Sequence, residues 1–255
     1  MKLQNITYLN FQKQSGVIKQ SNEIKNNFSN SYTSHTLNND PKACLNKMNI
    51  SFGKRISISP SLQKAIDEKD YEKILTHFEI EVEKDEEGML TLSHYDQPDE
   101  DTTFADLGID ENEMFKHIRK ITGNAYLENC KATSLGSITE IEGDAVFYHS
   151  AIESLGNLET IGQDADFQYS VVASLGKLKT IGNNAIFASS QITDLQNLES
   201  IGGDADFRDT QIESFGKLKE IMRHVYINSD DIEDKLKDIL ICGDVINDEM
   251  DYLED

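Results

Sequence analysis

From Phe115 the chain repeats itself every 20 residues with no insertion or deletion. Successive units open at Phe115, Leu135, Leu155, Leu175, Leu195 and Phe215, and three positions later stand Ile118, Ile138, Leu158, Leu178, Leu198 and Leu218. Three residues on, every unit carries isoleucine, from Ile121 through Ile141, Ile161, Ile181 and Ile201 to Ile221. An alanine column runs from Ala125 to Ala205 and ends in Val225. Two residues after it comes Leu127, Phe147, Phe167, Phe187, Phe207 and Ile227. The last column is Ala132, Ile152, Val172, Ile192, Ile212 and Ile232. Every position in these columns is apolar although only 38% of the chain is hydrophobic. Accident does not do this, and a period of this length identifies stacked structural units.

Each unit reads as one turn of a solenoid. The Ala-x-Phe pair alternates with period 2, so both side chains face inward from a short strand. The other apolar columns, three residues apart, predict a tight turn or 3₁₀ segment returning on the far side. One such turn cannot close a core, whereas stacked turns bury a continuous one. Phe167 and Phe187 are therefore expected to lie on consecutive rungs, about 4.8 Å apart.

The strand columns resemble the leucine-rich repeat. The motif LxLxxN/CxL of that family aligns with Ala145-x-Phe147-x-x-Ser150-x-Ile152 and with its counterparts in the other units. The Asn/Cys ladder position of the family falls on Cys130, Ser150, Ser170, Ser190, Thr210 and Asp230, so serine mostly replaces asparagine. This is similar to a short, divergent, bacterial-type class, and the Ile-Gly-x-Asp-Ala-x-Phe phrasing is also similar to the receptor L domain. The resemblance covers 115–234. It implies a curved solenoid whose strand face binds other proteins. The fold class expected is thus an α/β repeat solenoid, a right-handed leucine-rich-repeat-like coil with a parallel β-sheet on one face, a small α+β N-terminal cap and a disordered N-terminal arm.

Composition divides the chain into four parts. Residues 1–55 are rich in Asn, Ser and Lys with no lasting apolar period, which predicts a disordered arm. Six lysines against Glu23 and Asp40 give residues 1–50 a net charge of +4, so the −22 of the whole chain leaves −26 on 51–255. Residues 56–114 predict a small cap. Ser59 and Pro60 signal a helix start, Asp70 signals another, and Glu79–Val82 with Met89–Ser93 signals a hairpin ahead of an acidic insertion. Residues 115–234 are the six repeats, and 235–255 are a degenerate last turn with an acidic tail. Leu90-x-Leu92 is a candidate preceding strand, and Ile241 and Val245 continue two columns.

Such an acidic surface repels phosphate backbones and anionic lipid heads, so nucleic acid and membrane surfaces are not expected partners. No apolar run has the length of a membrane span, and the first residues lack the apolar core of a Sec signal. The expected location is the cytoplasm. The alternative is export to a host cell by a non-Sec route, with the arm as address. Cys44, Cys130 and Cys242 are too few for a disulfide framework or a zinc site.

No residue set predicts catalysis, a cofactor or a metal. Cys242-Gly243-Asp244 has the C-x-D form of a catalytic cysteine, but it aligns with Gly202-Gly203-Asp204 of the repeat. Asp164-x-Asp166 and Asp204-x-Asp206 have the D-x-D form of a divalent-metal site. In their column, however, Asn124, Asp144, Asp164, Asn184 and Asp204 interchange Asn with Asp, which fits a side chain capping a local turn. The six histidines, among them His77 and His94 in the cap segment, share no motif.

The outward strand positions form the candidate binding face. Tyr126, Val146, Asp166, Ile186, Asp206 and Tyr226 stand between the two inward residues, with Tyr148 and Arg208 just after the phenylalanine and His149 and Tyr169 one residue further. Tyr and Arg are common interface anchors. The expectation is a monomeric, non-enzymatic module binding a partner protein through this face. Two rival classes are an enzyme that uses its repeats for substrate recognition and a Ca²⁺-stabilised structural solenoid.

Overall fold

In a computed structural model of the chain, residues 58–99 and 102–247 are described, and all of them lie within one compact unit. The expected arm at 1–55 and the tail beyond Asn247 fall outside the described residues. The body is a parallel β-solenoid of stacked 20-residue turns.

Each turn carries two short strands. The first is centred on the invariant isoleucine: β3 (Ile118–Ile121), β5 (Glu140–Ile141), β7 (Thr160–Ile161), β9 (Thr180–Ile181), β11 (Ser200–Ile201), β13 (Glu220–Ile221) and β15 (Leu240–Ile241). The second starts at the alanine column: β4 (Ala125–Tyr126), β6 (Ala145–Val146), β8 (Ala165–Asp166), β10 (Ala185–Ile186), β12 (Ala205–Asp206), β14 (Val225–Ile227) and β16 (Val245–Asn247). Both sets pair in parallel with a register of one whole repeat, as in Ile161↔Ile181 and Ala165↔Ala185. Isolated bridges Ser134↔Ser154↔Ser174 mark a third side. The return segment expected as a turn or 3₁₀ stretch is therefore a second parallel sheet. Helices lie only at the two ends of the described chain, so the coarse class is a parallel β-solenoid.

The corners explain the polar and glycine columns. At one, Ser154 Oγ accepts the amide of Gly156 (3.2 Å) and Ser174 Oγ that of Gly176 (3.3 Å). Gly176 has φ +58°, and a Cβ there would lie 2.5 Å from the Gly156 carbonyl oxygen, so turns can stack this closely only without a side chain. At the corner after the phenylalanine, Asn129, His149, Tyr169, Ser189 and Asp209 all adopt positive φ between 50° and 58°.

Inside, the columns meet as read. The rings of Phe147, Phe167, Phe187 and Phe207 stack within 7° of parallel at 4.9–5.2 Å, the spacing the strands impose. Phe215 closes the stack edge-on to Phe207 at 5.1 Å.

The N-terminal end is closed. Ser59 Oγ accepts the Leu62 amide at the start of α1 (Pro60–Asp67), and Asp70 Oδ1 accepts that of Lys73 in α2 (Tyr71–His77). A hairpin of β1 (Val82–Lys84) and β2 (Leu90–Leu92) follows, and β2 pairs in parallel with β3, so it is the first rung of that sheet. Tyr95 bridges to Ala125 and starts the other sheet. The acidic insertion folds over this end through α3 (Glu111–Phe115), seating Phe104 and Phe115 against Tyr95 at 5.9 and 5.2 Å. A last helix, α4 (Asp230–Lys235), precedes β15.

Candidate binding surface

The second strand of each turn fixes the surface. Ala145 and Phe147 face the core, so Val146 between them turns outward, and register places Tyr126, Val146, Asp166, Ile186, Asp206 and Tyr226 in one row. Rungs about 4.8 Å apart leave no gap between successive side chains. Tyr126 is half-buried, and its hydroxyl accepts a hydrogen bond from Asn124 Nδ2 (2.9 Å). Val146, Ile186 and Tyr226 are buried, as are Asp166 and Asp206, 8% and 1% exposed. An exposed row was expected, and the structure corrects that. Arg208 is part of the reason. Its Nε donates to Asp206 Oδ1 (2.9 Å), its Nη2 lies 2.5 Å from Oδ2, and its guanidinium sits 5.6 Å from the Tyr226 ring centre.

The exposed part is the next corner. Tyr148 and Tyr169 are 38% and 57% exposed, and His149 is exposed beside them. Their rings meet edge-on, Tyr148 to His149 at 4.1 Å and Tyr148 to Tyr169 at 5.8 Å. His149 and Tyr169 hold the left-handed conformation of that corner, φ 53° and 50°. Bulky residues rarely adopt it, and glycine or asparagine would suit it better. The sequence thus places large rings where the backbone favours small residues.

Electrostatics sets the buried carboxylates apart. Burial, aided by the neighbouring Glu128, Asp164 and Asp206, raises the Asp166 carboxyl to about 6, although its Oδ1 accepts the Gln168 amide (2.8 Å). Burial likewise pushes the Tyr226 phenol up to about 12.

The Asn/Asp column acts across turns. Asn124 Oδ1 accepts the Asp144 amide (2.9 Å), Asp144 that of Asp164 (3.1 Å), and Asp164 that of Asn184 (2.9 Å). Asn184 accepts from Asp204 (2.9 Å), and Asp204 from His224 (2.8 Å). His224 continues the relay, its Nδ1 accepting the Asp244 amide at 3.1 Å. The local capping expected of this column is instead capping of the turn that follows, one repeat away. Asn and Asp interchange because each supplies the one acceptor oxygen that is used. Among the described residues no group of three or more His, Cys, Asp or Glu is placed to hold a metal ion.

The Ser/Thr/Cys column after the phenylalanine behaves differently. Ser170 Oγ and Thr210 Oγ1 donate to the carbonyls of Phe167 and Phe207 (2.8 and 2.6 Å), whereas the buried hydroxyls of Ser150 and Ser190 have no partner. Cys130 is buried, which drives its thiol far above the ordinary range, and Cys242 is exposed. In the cap, His77 packs edge-on against Phe78 at 5.2 Å, while His94 Nδ1 lies 3.0 Å from Ser93 Oγ. The two histidines thus serve separate local contacts. An open cavity of about 490 Å³ lies beside α2, lined by Lys69, Asp70, Glu72, Lys73, Lys84 and His117 among others. Four of its charged groups pair with one another, Lys73 with Asp70 (2.5 Å) and Lys84 with Glu72 (3.4 Å).

Among the described residues no helix is long and apolar enough to cross a membrane. Comparison with protein-family models, with curated proteins and with solved structures finds no match to this chain.

Proposed function

We propose that the chain is a non-enzymatic protein-interaction module whose partner protein docks on the outward side of the second-strand sheet. The observation that carries this reading is the ring cluster of Tyr148, His149 and Tyr169, exposed on a regular scaffold, with Tyr169 held in a left-handed backbone that a bulky residue rarely adopts. A rigid sheet presenting aromatic rings orders few groups on binding, which favours recognition. Arg208, stacked on Tyr226 and clamped to Asp206, extends the same surface. Within this reading the turns are a short leucine-rich-repeat variety in a right-handed coil, which the Ala-x-Phe columns and the Ser/Thr/Cys ladder position support. The protein works in the cytoplasm or, by a non-Sec route, in a host cell. A reporter fused to residues 1–50 and assayed for export separates those two locations.

The test is capture followed by mutation. A partner retained by the full chain should be lost when Tyr148 and Tyr169 are both changed to Ala, and kept when Lys179 and Lys219 on the other sheet are changed instead. The opposite outcome moves binding to the other sheet and ends this assignment.

A further inference from the structure

The two ends of the solenoid are finished differently, and among the described residues the C-terminal end leaves a sheet edge unpaired. Amides of Leu240 and Cys242 donate backward to the carbonyls of Lys219 (2.9 Å) and Ile221 (3.0 Å). Backbone direction alternates along a strand, so the N–H and C=O of Ile241 point forward, away from the body. In the neighbouring sheet the Val225 amide donates forward to the Asp244 carbonyl (2.9 Å). Val245, one repeat later, points its own N–H and C=O forward in the same way. Among the described residues β15 and β16 each pair on one side only, and the forward groups of Ile241 and Val245 have no hydrogen-bond partner. Apolar side chains stand on the same rim, Leu240 at 60% and Val245 at 38% exposure.

An unpaired edge bordered by apolar residues is a template for another strand. Charge selects which one. The last turn carries Asp230, Asp231, Glu233, Asp234, Asp238 and Asp244 against Lys235 and Lys237. A second copy would bring the same acidic turn and a total charge of −22. The chain's own tail, Asp248–Asp255, adds five acids and no base, so it lacks the complementary charge.

We propose that the open edge of β15 and β16 takes an extended, basic segment of a partner protein as one further rung. Its backbone pairs with the forward groups of Ile241 and Val245. Its apolar side chains cover Leu240 and Val245, and its lysines or arginines face Asp238 and Asp244. This surface is separate from the tyrosine cluster and does not depend on it.

The test uses the full-length chain and a fluorescent peptide of alternating Lys and Val, with an alternating Glu and Val peptide as control, read by anisotropy. The basic peptide should bind and the acidic one should not, with affinity falling as salt rises. Val245→Pro removes the forward amide and should weaken binding by about tenfold or more. Asp238→Lys with Asp244→Lys, two exposed changes, should weaken it too and flatten the salt dependence, which keeps the test decisive if the proline variant melts early. Equal binding of both peptides overturns the proposal. So does full affinity in both sets of variants, or loss of binding on Tyr148→Ala with Tyr169→Ala. Binding that appears only after removal of 248–255, or only after removal of the basic residues 1–50, would make a segment of this chain the occupant. Concentration-dependent dimerisation abolished by Val245→Pro would make it a second copy. Either result also overturns the proposal.

Discussion

The two sheets are made by the same turns, share one core and keep the same register, yet their outer faces differ. On the first-strand side, Lys120 sits 2.9 Å from Glu140, Lys179 pairs with Glu159 at 2.6 Å and Lys219 with Glu199 at 2.5 Å. These are exposed pairs of opposite sign, one turn apart, and the outer row itself is Lys120, Glu140, Thr160, Thr180, Ser200 and Glu220. On the second-strand side the corresponding row is Tyr126, Val146, Asp166, Ile186, Asp206 and Tyr226, with two buried carboxylates and a ring cluster at its edge. Folding demands are equal on both sides, because each strand needs only its inward residues to close the core. The first face is what a solvated sheet looks like. The second carries features that stability alone does not select: a carboxyl raised by burial and rings in a left-handed backbone.

The largest effect should be common to both faces. Phe167→Ala or Phe187→Ala removes a ring from the shared stack and should cost about 3–5 kcal/mol in denaturant melts. A loss below about 1 kcal/mol would mean that the core does not couple the sheets. The next effect should belong to the second face alone. Because the Asp166 carboxyl is raised to about 6 from 3.8, the folded state holds its proton more tightly than the unfolded one. Below about pH 4 both states are protonated and the residue is neutral in its effect. Stability should then fall as pH rises toward about 6, by at most about 3 kcal/mol. Asp166→Asn should raise the melting temperature at pH 7.5 and flatten that segment of the pH profile. A flat profile in the parent chain contradicts the burial of this carboxylate.

Binding sharpens the contrast further. Tyr148→Ala with Tyr169→Ala should weaken a captured partner by about 2 kcal/mol, roughly thirtyfold. Melting should shift by no more than about 0.5 kcal/mol. Smaller still is the relay at the corner between the sheets. Asp204→Ala leaves the His224 amide unpaired and should cost about 1 kcal/mol, whereas Asp144→Asn keeps the acceptor oxygen and should be nearly silent. Lys179→Ala, which breaks an exposed ion pair, should cost about 0.5 kcal/mol or less. Equal losses for Asp204→Ala and Asp144→Asn would show that charge, not the hydrogen bond, matters there.

Much of this was legible in the residues. The repeat length, the inward columns and the phenylalanine stack all follow from side chains that recur at one spacing. The second sheet was not, because strands such as Glu140–Ile141 are two residues long and too short to display an alternation. Apolar residues three apart around them imitate a 3₁₀ turn. The Asn/Asp column was recognised as capping, but a side-chain oxygen reaches its own turn and the next one equally well on paper. Only stacking reveals that Asp164 Oδ1 serves Asn184, 20 residues away. The outward row could be placed on its face from alternation, while the burial of Asp206 depends on Arg208 folding back over it. Rotamer choices of that kind leave no mark on spacing. Tyr169 carried no warning of a left-handed backbone, and only Asn129, His149 and Asp209 in the same column are of types that favour one.

The relay of side-chain oxygens has a direction, and that direction governs how such a chain can change over generations. Each turn owns the acceptor for its successor and the donor for its predecessor, from Asn124 through His224 to Asp244. Excising any 20 consecutive residues removes one of each and rejoins a complete sequence of bonds, whatever the starting point of the cut. Excising a number that is not a multiple of 20 orphans a donor, misplaces a glycine where turns nearly touch, and rotates every core column out of line. Duplication obeys the same arithmetic. The molecule is therefore free to lengthen or shorten only in whole units, and the reach of its tyrosine-bearing surface is inherited as an integer.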